Sequence, residues 1–201
     1  MITTGITGTI AAGKTSVSIL LKRHGFAVFN CDNYAKIALH KGSGCYAALV
    51  ELLTEDVVSD SGDIDPKKMA AVIFHDEEKR KGVNAIVHPF VREAMHHFFE
   101  SHAQEQLVFA EVPLLFEAGW EDDFDQICVV TCTKETAVSR MRRDRGYSEA
   151  EALARYDSQI NIEEQKKKAD FVINNDGDLK KLNDDVNAWL RELRREARTC
   201  S

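Results

Sequence analysis

The segment GTIAAGKTS, residues 8–16, fits the phosphate-binding pattern G-x-x-x-x-G-K-[ST]. Gly8 and Gly13 occupy the two glycine positions and allow the backbone to bend around an anion. Lys14 follows with a positive charge for the terminal phosphates, and the Thr15 hydroxyl stands where the pattern places a Mg²⁺ ligand. The pattern therefore predicts a site for the phosphates of a nucleotide.

Such a loop binds phosphate only between a strand and a helix, because the free N–H groups of the helix N-terminus face the anion. Residues 1–7, MITTGIT, predict a short strand, and residues 15–25, TSVSILLKRHG, predict a helix that stops at Gly25. The flanking sequence thus favours a nucleoside triphosphate site over a chance glycine-rich turn. The residues predicted to contact the nucleotide phosphates are Ala11, Ala12, Gly13, Lys14, Thr15 and Ser16.

Composition narrows the class of protein. The 201 residues suffice for one α/β domain with insertions, and the net charge of −7 argues against a nucleic-acid surface. The sequence contains no apolar run of the ~18 residues that a membrane span needs, and its first residues do not resemble a signal peptide. The odd number of cysteines and the absence of a C-x-x-C pair favour a reducing cytoplasm. We expect a monomer, with weak self-association as the alternative. The cysteines are Cys31, Cys45, Cys128, Cys132 and Cys200.

Apolar runs at 27–31, 107–112, 126–132 and 170–175 recur between helical patterns and predict four further strands. Their near-continuous apolarity is typical of strands covered on both faces. The predicted fold is therefore α/β, with a parallel five-stranded sheet flanked by helices.

About seventy residues separate the second strand from the third, which is too long for a plain crossover. Residues 65–80 predict one helix, with Asp65 as N-cap and Pro66 at its first position. Residues 84–102 predict a second helix, in which Pro89 should cause a boundary or a kink near the start. We interpret this insertion as a helical substrate-binding region.

Two further helices follow the fourth strand, and a third ends the chain. Thr133 is predicted to cap the first of them, and Ser148 with Glu151 to form a capping box at the second. The apolar stripe of residues 179–193 predicts a last helix packed on the core.

Two classes of phosphate-loop protein compete: a kinase of small molecules, and a GTPase switch or motor ATPase. The guanine-reading N-K-x-D and the D-x-x-G of GTPases do not occur in the sequence. A motor ATPase usually has paired acids after an apolar strand, whereas here Glu111 stands alone before Val112 and Pro113. These differences favour the kinase.

Asp32 lies at the end of the second predicted strand, where a crevice opens beyond the carboxyl ends of parallel strands. Its carboxylate could accept the proton of an acceptor hydroxyl or hold a water bound to Mg²⁺. An Asx turn or an N-cap leading into the next helix is an equally good reading.

A second candidate is the basic segment RMRRDR, residues 140–145. Arg140 and Arg143 share a helix face, and Arg142 and Arg145 flank them. Arginines on a closing lid can neutralise the charge that develops on a transferred phosphoryl group. An ordinary exposed charged helix is the alternative.

The assembled motifs resemble those of the dephospho-CoA kinase family, from the first strand to about Asp178. The combination of HPFVR with PLLFE is far more specific than the phosphate loop, which many kinases share. The matching segments are GITGTIAAGKTS (5–16), FNCDNYAKIA (29–38), VHPFVR (87–92), EVPLLFEAG (111–119), SRMRRDRG (139–146) and ADFVINNDG (169–177).

The resemblance implies an ATP- and Mg²⁺-dependent phosphorylation of the ribose 3′-hydroxyl of dephospho-CoA, the last step of coenzyme A synthesis. It also implies a P-loop kinase domain over 1–201 with three parts. These are a nucleotide core of about 1–32, 106–133 and 170–201, a helical CoA-binding insertion of about 33–105, and a lid of about 134–169. Another P-loop kinase acting on a nucleoside or nucleotide is the alternative, and an ATPase or GTPase switch is less favoured.

Residue by residue, the resemblance makes Asp32 the general base and gives Lys14 and Thr15 the contacts to phosphate and metal. It assigns the acceptor to His88 and Arg92. It also brings Arg140 of the lid to the ATP phosphates and Asn175 to a loop near the adenine.

The sequence departs from the family pattern at three positions. Ala11 replaces a loop glycine, Asn30 replaces the first acid of D-A-D, and Glu111 stands where aspartate is usual. Ala11 brings the flexibility of the loop into question, since alanine does not relieve strain at positive φ.

Overall fold

The structure is a computed structural model that describes residues 1–159 and 161–199. The chain forms two compact units, one of Met1–Phe29 with Phe99–Ser201 and the other of Asn30–Phe98. Cys200, one of the five cysteines, lies outside the described residues.

Five strands form one sheet with the order β2-β3-β1-β4-β5. The central strand β1 pairs in parallel with β3 and with β4, and β4 pairs in parallel with β5. The five-stranded sheet expected from the apolar runs is therefore confirmed. The strands are β1 Ile2–Gly8, β2 Ala27–Asn30, β3 Leu107–Glu111, β4 Gln126–Thr131 and β5 Phe171–Asn174.

Nine α-helices lie within the described ranges, and none of them is both long and apolar enough to cross a membrane. They are α1 Lys14–Arg23, α2 Cys31–Ile37, α3 Tyr46–Leu53, α4 Pro66–His75, α5 Glu77–Ser101, α6 Lys134–Arg145, α7 Glu149–Asp157, α8 Ile162–Lys167 and α9 Leu179–Thr199.

The core of the first unit forms where α1 and α9 cover the sheet. All five residues of β3 are buried, and the Trp189 ring of α9 contacts Phe109 edge-on and stacks on Phe171, with centroids 5.6 and 5.8 Å away. Burial of such aromatic rings is a large stabilising contribution. The predicted apolar stripe of α9 is confirmed except at Leu179, the first helical residue, which is 77% exposed.

The second unit has a separate core, centred on the buried residues Leu49, Leu53, Val57 and Ile64. A polar contact also holds the loop between α3 and α4: the Tyr46 hydroxyl donates to the Gly62 carbonyl, at 2.6 Å. Helices α3 and α5 and the loop between α3 and α4 supply this core. A small unit with its own apolar centre forms in this way.

The helix predicted over 65–80 is wrong in its C-terminal part. Asp76 is extended, with φ −134°, and its carboxylate accepts a hydrogen bond from the backbone N–H of Lys79. This is N-cap geometry, so α4 ends at His75 and α5 begins at Glu77. Pro89 lies inside α5 and does not mark its start.

Three other helix starts agree with the sequence, whereas the helix predicted from Ser148 onward is wrong in its length, since α7 ends at Asp157 and α8 begins at Ile162 with Asn161 as its N-cap. The Asp65 carboxylate accepts from the N–H groups of the first turn of α4, and Pro66 is the first helical residue. Thr133 caps α6, and Ser148 forms the capping box of α7 with Glu151. These local signals are confirmed because the bonds involve residues at most three positions apart.

Candidate functional site

The phosphate loop connects β1 to α1, as its pattern predicts. Gly13 has φ +96°, and a Cβ there would lie 2.2 Å from the amide nitrogen of Asn175. Gly8 has φ +137°, and its Cβ would lie 1.9 Å from the Val130 carbonyl oxygen. Both positions require glycine, whereas Ala11 adopts φ +59° in the same loop.

Lys14 is the first residue of α1, and its side chain folds back over the loop. The ammonium donates to the carbonyl oxygens of Gly8 and Thr9, at 2.8 and 3.0 Å. Its charge is thereby held directly beside the loop, where an anion would be bound.

Thr15 contacts a buried carboxylate. Its hydroxyl donates to Oε1 of Glu111, at 2.8 Å, and Glu111 is the last residue of β3 and only 3% exposed. A hydroxyl and a carboxylate are the hard oxygen donors that Mg²⁺ prefers. The donor set at the end of β3 thus fits a magnesium ion, although the described residues contain no group of three or more His, Cys, Asp or Glu that could hold a metal.

Arg140 projects from α6 onto the phosphate loop. Its guanidinium donates to the carbonyl oxygens of Ala11 and Ala12, at 3.2 and 3.4 Å, and to that of Asn175, at 2.8 Å. The side-chain amide of Asn175 is buried and also donates to the Ala12 carbonyl, at 2.8 Å. Arg140 and Asn175, predicted at opposite ends of a nucleotide, therefore meet at the loop itself.

Cys132 lies at the end of β4, close to these cationic groups. Burial raises the pKa of its thiol, and the charges of Arg140 and Lys14 only partly offset this effect. The thiol is therefore neutral at physiological pH. Cys128 and Cys132 are both buried in the core of the first unit.

Gln159, in the segment between α7 and α8, contacts the phosphate loop and was not predicted from the sequence. Its side-chain oxygen accepts a hydrogen bond from the backbone N–H of Ile10, at 2.6 Å. The surrounding stretch SQINIEEQ is mostly polar, and no spacing rule connects Gln159 to a loop residue 149 positions earlier. Only the folded chain reveals this contact.

Asp32 is an exposed residue in the first turn of α2. The N-cap considered for it is provided instead by Asn30, whose side chain accepts from the N–H of Asn33, at 2.8 Å. The strand β2 also ends at Asn30, two residues before Asp32. The N-cap residue of α2 is therefore Asn30 and not Asp32.

His88 and Arg92 lie one turn apart in α5, so they project from the same face of the helix. Arg92 is exposed, while His88 is half-buried, and this burial lowers the pKa of its imidazole from the ordinary value of 6.5. The neutral imidazole is thus the dominant form at neutral pH.

The predicted site residues fall into two groups. The first unit brings together the phosphate loop, Arg140 and Asn175 through direct hydrogen bonds. Asp32, His88 and Arg92 belong to the second unit.

Comparison with known proteins identifies similar sequences and structures over nearly the whole chain. The family model of CoaE, dephospho-CoA kinase, matches residues 2–181. The dephospho-CoA kinase of Listeria innocua is 39% identical over 195 residues, which are 95% of this chain and 96% of that protein.

Two solved structures extend this similarity to the fold. The crystal structure of TT1252 from Thermus thermophilus has a TM-score of 0.82 at 37% identity, covering 96% of this chain and 97% of that one. The dephospho-CoA kinase from Campylobacter jejuni has a TM-score of 0.73 at 26% identity, covering 96% and 98%.

Proposed function

This chain belongs to the dephospho-CoA kinase family, and on that premise we propose that it transfers the γ-phosphoryl group of ATP to the ribose 3′-hydroxyl of dephospho-CoA. The product is coenzyme A, so the reaction is the last step of coenzyme A synthesis. Similarity to dephospho-CoA kinases over 95% of the chain is the observation that carries this proposal. Another nucleoside or nucleotide kinase is not favoured.

The donor side of the reaction uses the phosphate loop. Lys14 and Arg140 place two positive charges beside it, and both already contact loop carbonyls. Transfer of a phosphoryl group has little covalent chemistry for the protein to perform, so positioning and charge stabilisation account for most of the catalysis. We assign the phosphates of ATP to the loop residues 11–16 and to these two cations.

Magnesium is part of the proposal. The Thr15 hydroxyl gives its hydrogen to Glu111, so its lone pairs remain available to a cation. A bound Mg²⁺ would neutralise charge on the β- and γ-phosphate oxygens. Thr15 is the proposed ligand, and Glu111 orients it.

The acceptor side belongs to the helical insertion. Asp32 is proposed to accept the proton of the ribose hydroxyl, a poor nucleophile at neutral pH. Arg92 has a guanidinium suited to an anionic group of dephospho-CoA, and His88, on the same helix face, offers a neutral imidazole.

The proposed organisation keeps a nucleotide core, a CoA-binding insertion of about 33–105 and a lid of about 134–169. A monomer contains all residues assigned to the reaction. The second unit has its own apolar core, which can stabilise the insertion that is proposed to bind dephospho-CoA.

An ADP-release assay with four acceptor conditions tests the function: dephospho-CoA, adenosine, dTMP and no acceptor, each with MgATP. We expect release that depends on dephospho-CoA and far exceeds the other three conditions. Release driven by dTMP alone would indicate a nucleotide kinase instead. Equal release in all four would indicate an ATPase.

A further inference from the structure

The apex of the phosphate loop is a tight turn with an unfavourable residue at its third position. The backbone N–H of Ala12 donates to the Thr9 carbonyl, at 3.2 Å, so residues 9–12 form a four-residue turn. Ala11, the third residue, has φ +59°. A turn with positive φ at this position favours glycine, because the Cβ of other residues is strained there.

Among the described residues other than glycine, Ala11 shares positive φ only with Thr54 of the second unit. Such a conformation persists when its surroundings hold it. Bonds within the loop and contacts from other segments can both supply this restraint.

Side chains from three separate segments provide this restraint, and each bonds the backbone next to Ala11. On one side, the Gln159 oxygen accepts from the N–H of Ile10, at 2.6 Å. On the other, the Arg140 guanidinium donates to the Ala11 and Ala12 carbonyls, and the Asn175 amide donates to that of Ala12. The Gln159 bond thus fixes the peptide group before Ile10, and the Arg140 and Asn175 bonds fix the two peptide groups that follow Ala11.

We propose that Gln159 is a positioning residue of the phosphate loop, which together with Arg140 and Asn175 holds Ala11 in the left-handed conformation required for nucleoside triphosphate binding. This inference rests on the proposed function, in which the loop binds ATP. Gln159 then affects substrate binding by holding the loop backbone, without contacting the substrate itself.

The chemistry of Gln159 suits this task. A neutral carboxamide oxygen accepts the Ile10 N–H without placing a negative charge beside the phosphate site. Methionine has similar length and shape but no comparable acceptor, so Gln159→Met removes the bond with little change in volume. Gln104→Met, at an exposed position in another loop, is the matched control.

Glycine at position 11 makes the proposal testable, because glycine adopts positive φ without strain. In Ala11→Gly the bonds from Gln159, Arg140 and Asn175 have less backbone strain to oppose. The loss of Gln159 should therefore reduce the affinity for MgATP less than it does in the wild type. A double-mutant cycle of Ala11→Gly and Gln159→Met measures this coupling. The readouts are the Kd of MgATP by calorimetry, with no acceptor present, and the KM for dephospho-CoA.

We expect Gln159→Met to weaken MgATP binding roughly three- to tenfold, the usual effect of one lost hydrogen bond. In the Ala11→Gly background the loss should be no more than about twofold, since the strain is gone. The KM for dephospho-CoA should hold within about twofold in every variant, because the acceptor is assigned elsewhere. A merely structural role would lower stability but would not produce this dependence on residue 11.

Two results would overturn the inference. Equal losses in both backgrounds would show that Gln159 acts independently of Ala11. Tighter binding of MgATP by Gln159→Met would show that its oxygen competes with the phosphates for the Ile10 N–H. If Gln159→Met does not fold, Gln159→Asn, which retracts the amide by one methylene, replaces it in the same cycle.

The proposed function is tested separately by wild-type turnover of dephospho-CoA, so the two failures are distinguishable. A wild-type chain that binds MgATP but does not phosphorylate dephospho-CoA would refute the proposed function. The positioning role of Gln159 would then be tested by the calorimetric Kd values for MgATP alone.

Discussion

Thr15 donates its hydroxyl hydrogen to Glu111 across 2.8 Å, joining the first turn of α1 to the end of β3. The carboxylate is buried and fixes the direction of the hydroxyl. Since the hydrogen points to Glu111, the lone pairs of the Thr15 oxygen point elsewhere and can bind a cation. This relationship connects the strand end to the metal chemistry proposed for the loop.

Glu111→Gln should weaken the binding of magnesium. The glutamine side chain has lost the charge, and its NH₂ group can donate to Thr15 and occupy a lone pair. We expect the Mg²⁺ concentration for half-maximal activity to rise about 10- to 100-fold, as for other residues that orient metal ligands. Magnesium titrations of ADP release measure it.

Thr15→Ser is the matched variant, because it keeps the hydroxyl that the bond requires. It should resemble the wild type in its magnesium titration. A Glu111→Gln enzyme with an unchanged titration would contradict the orienting role.

Lys14→Ala should reduce turnover strongly while the fold persists. The ammonium is the charge held closest to the loop, and removing one such stabilising donor costs about 10²–10³ in kcat. The exposed Lys22, in the last turn of α1, gives the control variant Lys22→Ala. Near-normal kcat in Lys14→Ala would show that the loop does not act on the phosphates.

Asp32→Asn should lower kcat by about 10²–10⁴, the usual contribution of a general base. Asparagine keeps the size of the side chain but does not accept a proton. The dissociation constants of ATP and dephospho-CoA, measured by calorimetry, should change only a few-fold. Asp60→Asn, in an exposed loop of the same unit, is the control.

Two other outcomes are informative for Asp32. A fall in kcat of less than tenfold would argue against a base, and the capping by Asn30 already accounts for the start of α2. Loss of MgATP affinity would instead indicate a residue of the metal site.

His88 should make the folded state less stable in mild acid. Its folded pKa is lowered by burial, so the unfolded chain binds the proton more readily. The contribution of the neutral His88 to the free energy of unfolding is complete above the ordinary pKa of 6.5. It is lost as the pH falls through the lowered pKa of the folded state. Urea unfolding at several pH values measures the free energy of unfolding.

The variant His88→Gln should lose less stability on acidification than the wild type, because glutamine does not titrate. His24→Gln, at the exposed end of α1, serves as the control and should behave as the wild type. Parallel pH profiles of His88→Gln and the wild type would contradict the assignment.

Local patterns predicted the elements of the fold well. A helix cap depends on residues at most three positions apart, so the caps at Asp65, Thr133 and Ser148 were predictable from the sequence. The strands β2 to β5 were predictable because each is a nearly continuous run of apolar residues. The break at Asp76 was missed because the helical pattern continues through it, and only the backbone geometry shows a second cap.

The contacts of the candidate site were much harder to predict. Glu111 lies 96 positions from Thr15, and Gln159 lies 149 positions from Ile10. No periodicity connects residues at such separations, because their proximity depends on how strands and helices pack. The resemblance to a family assigned roles to residues, but it did not reveal the bonds that hold Ala11.

The chemical structure of the product shows whether the chain phosphorylates the ribose 3′-hydroxyl of dephospho-CoA. The chain is incubated with MgATP and dephospho-CoA, and the product is examined by mass spectrometry and by phosphorus–proton coupling in NMR spectra. We predict one added phosphoryl group on the ribose 3′-oxygen, identical to authentic coenzyme A. A phosphoryl group on another oxygen, or ADP formed with dephospho-CoA unchanged, would contradict the account.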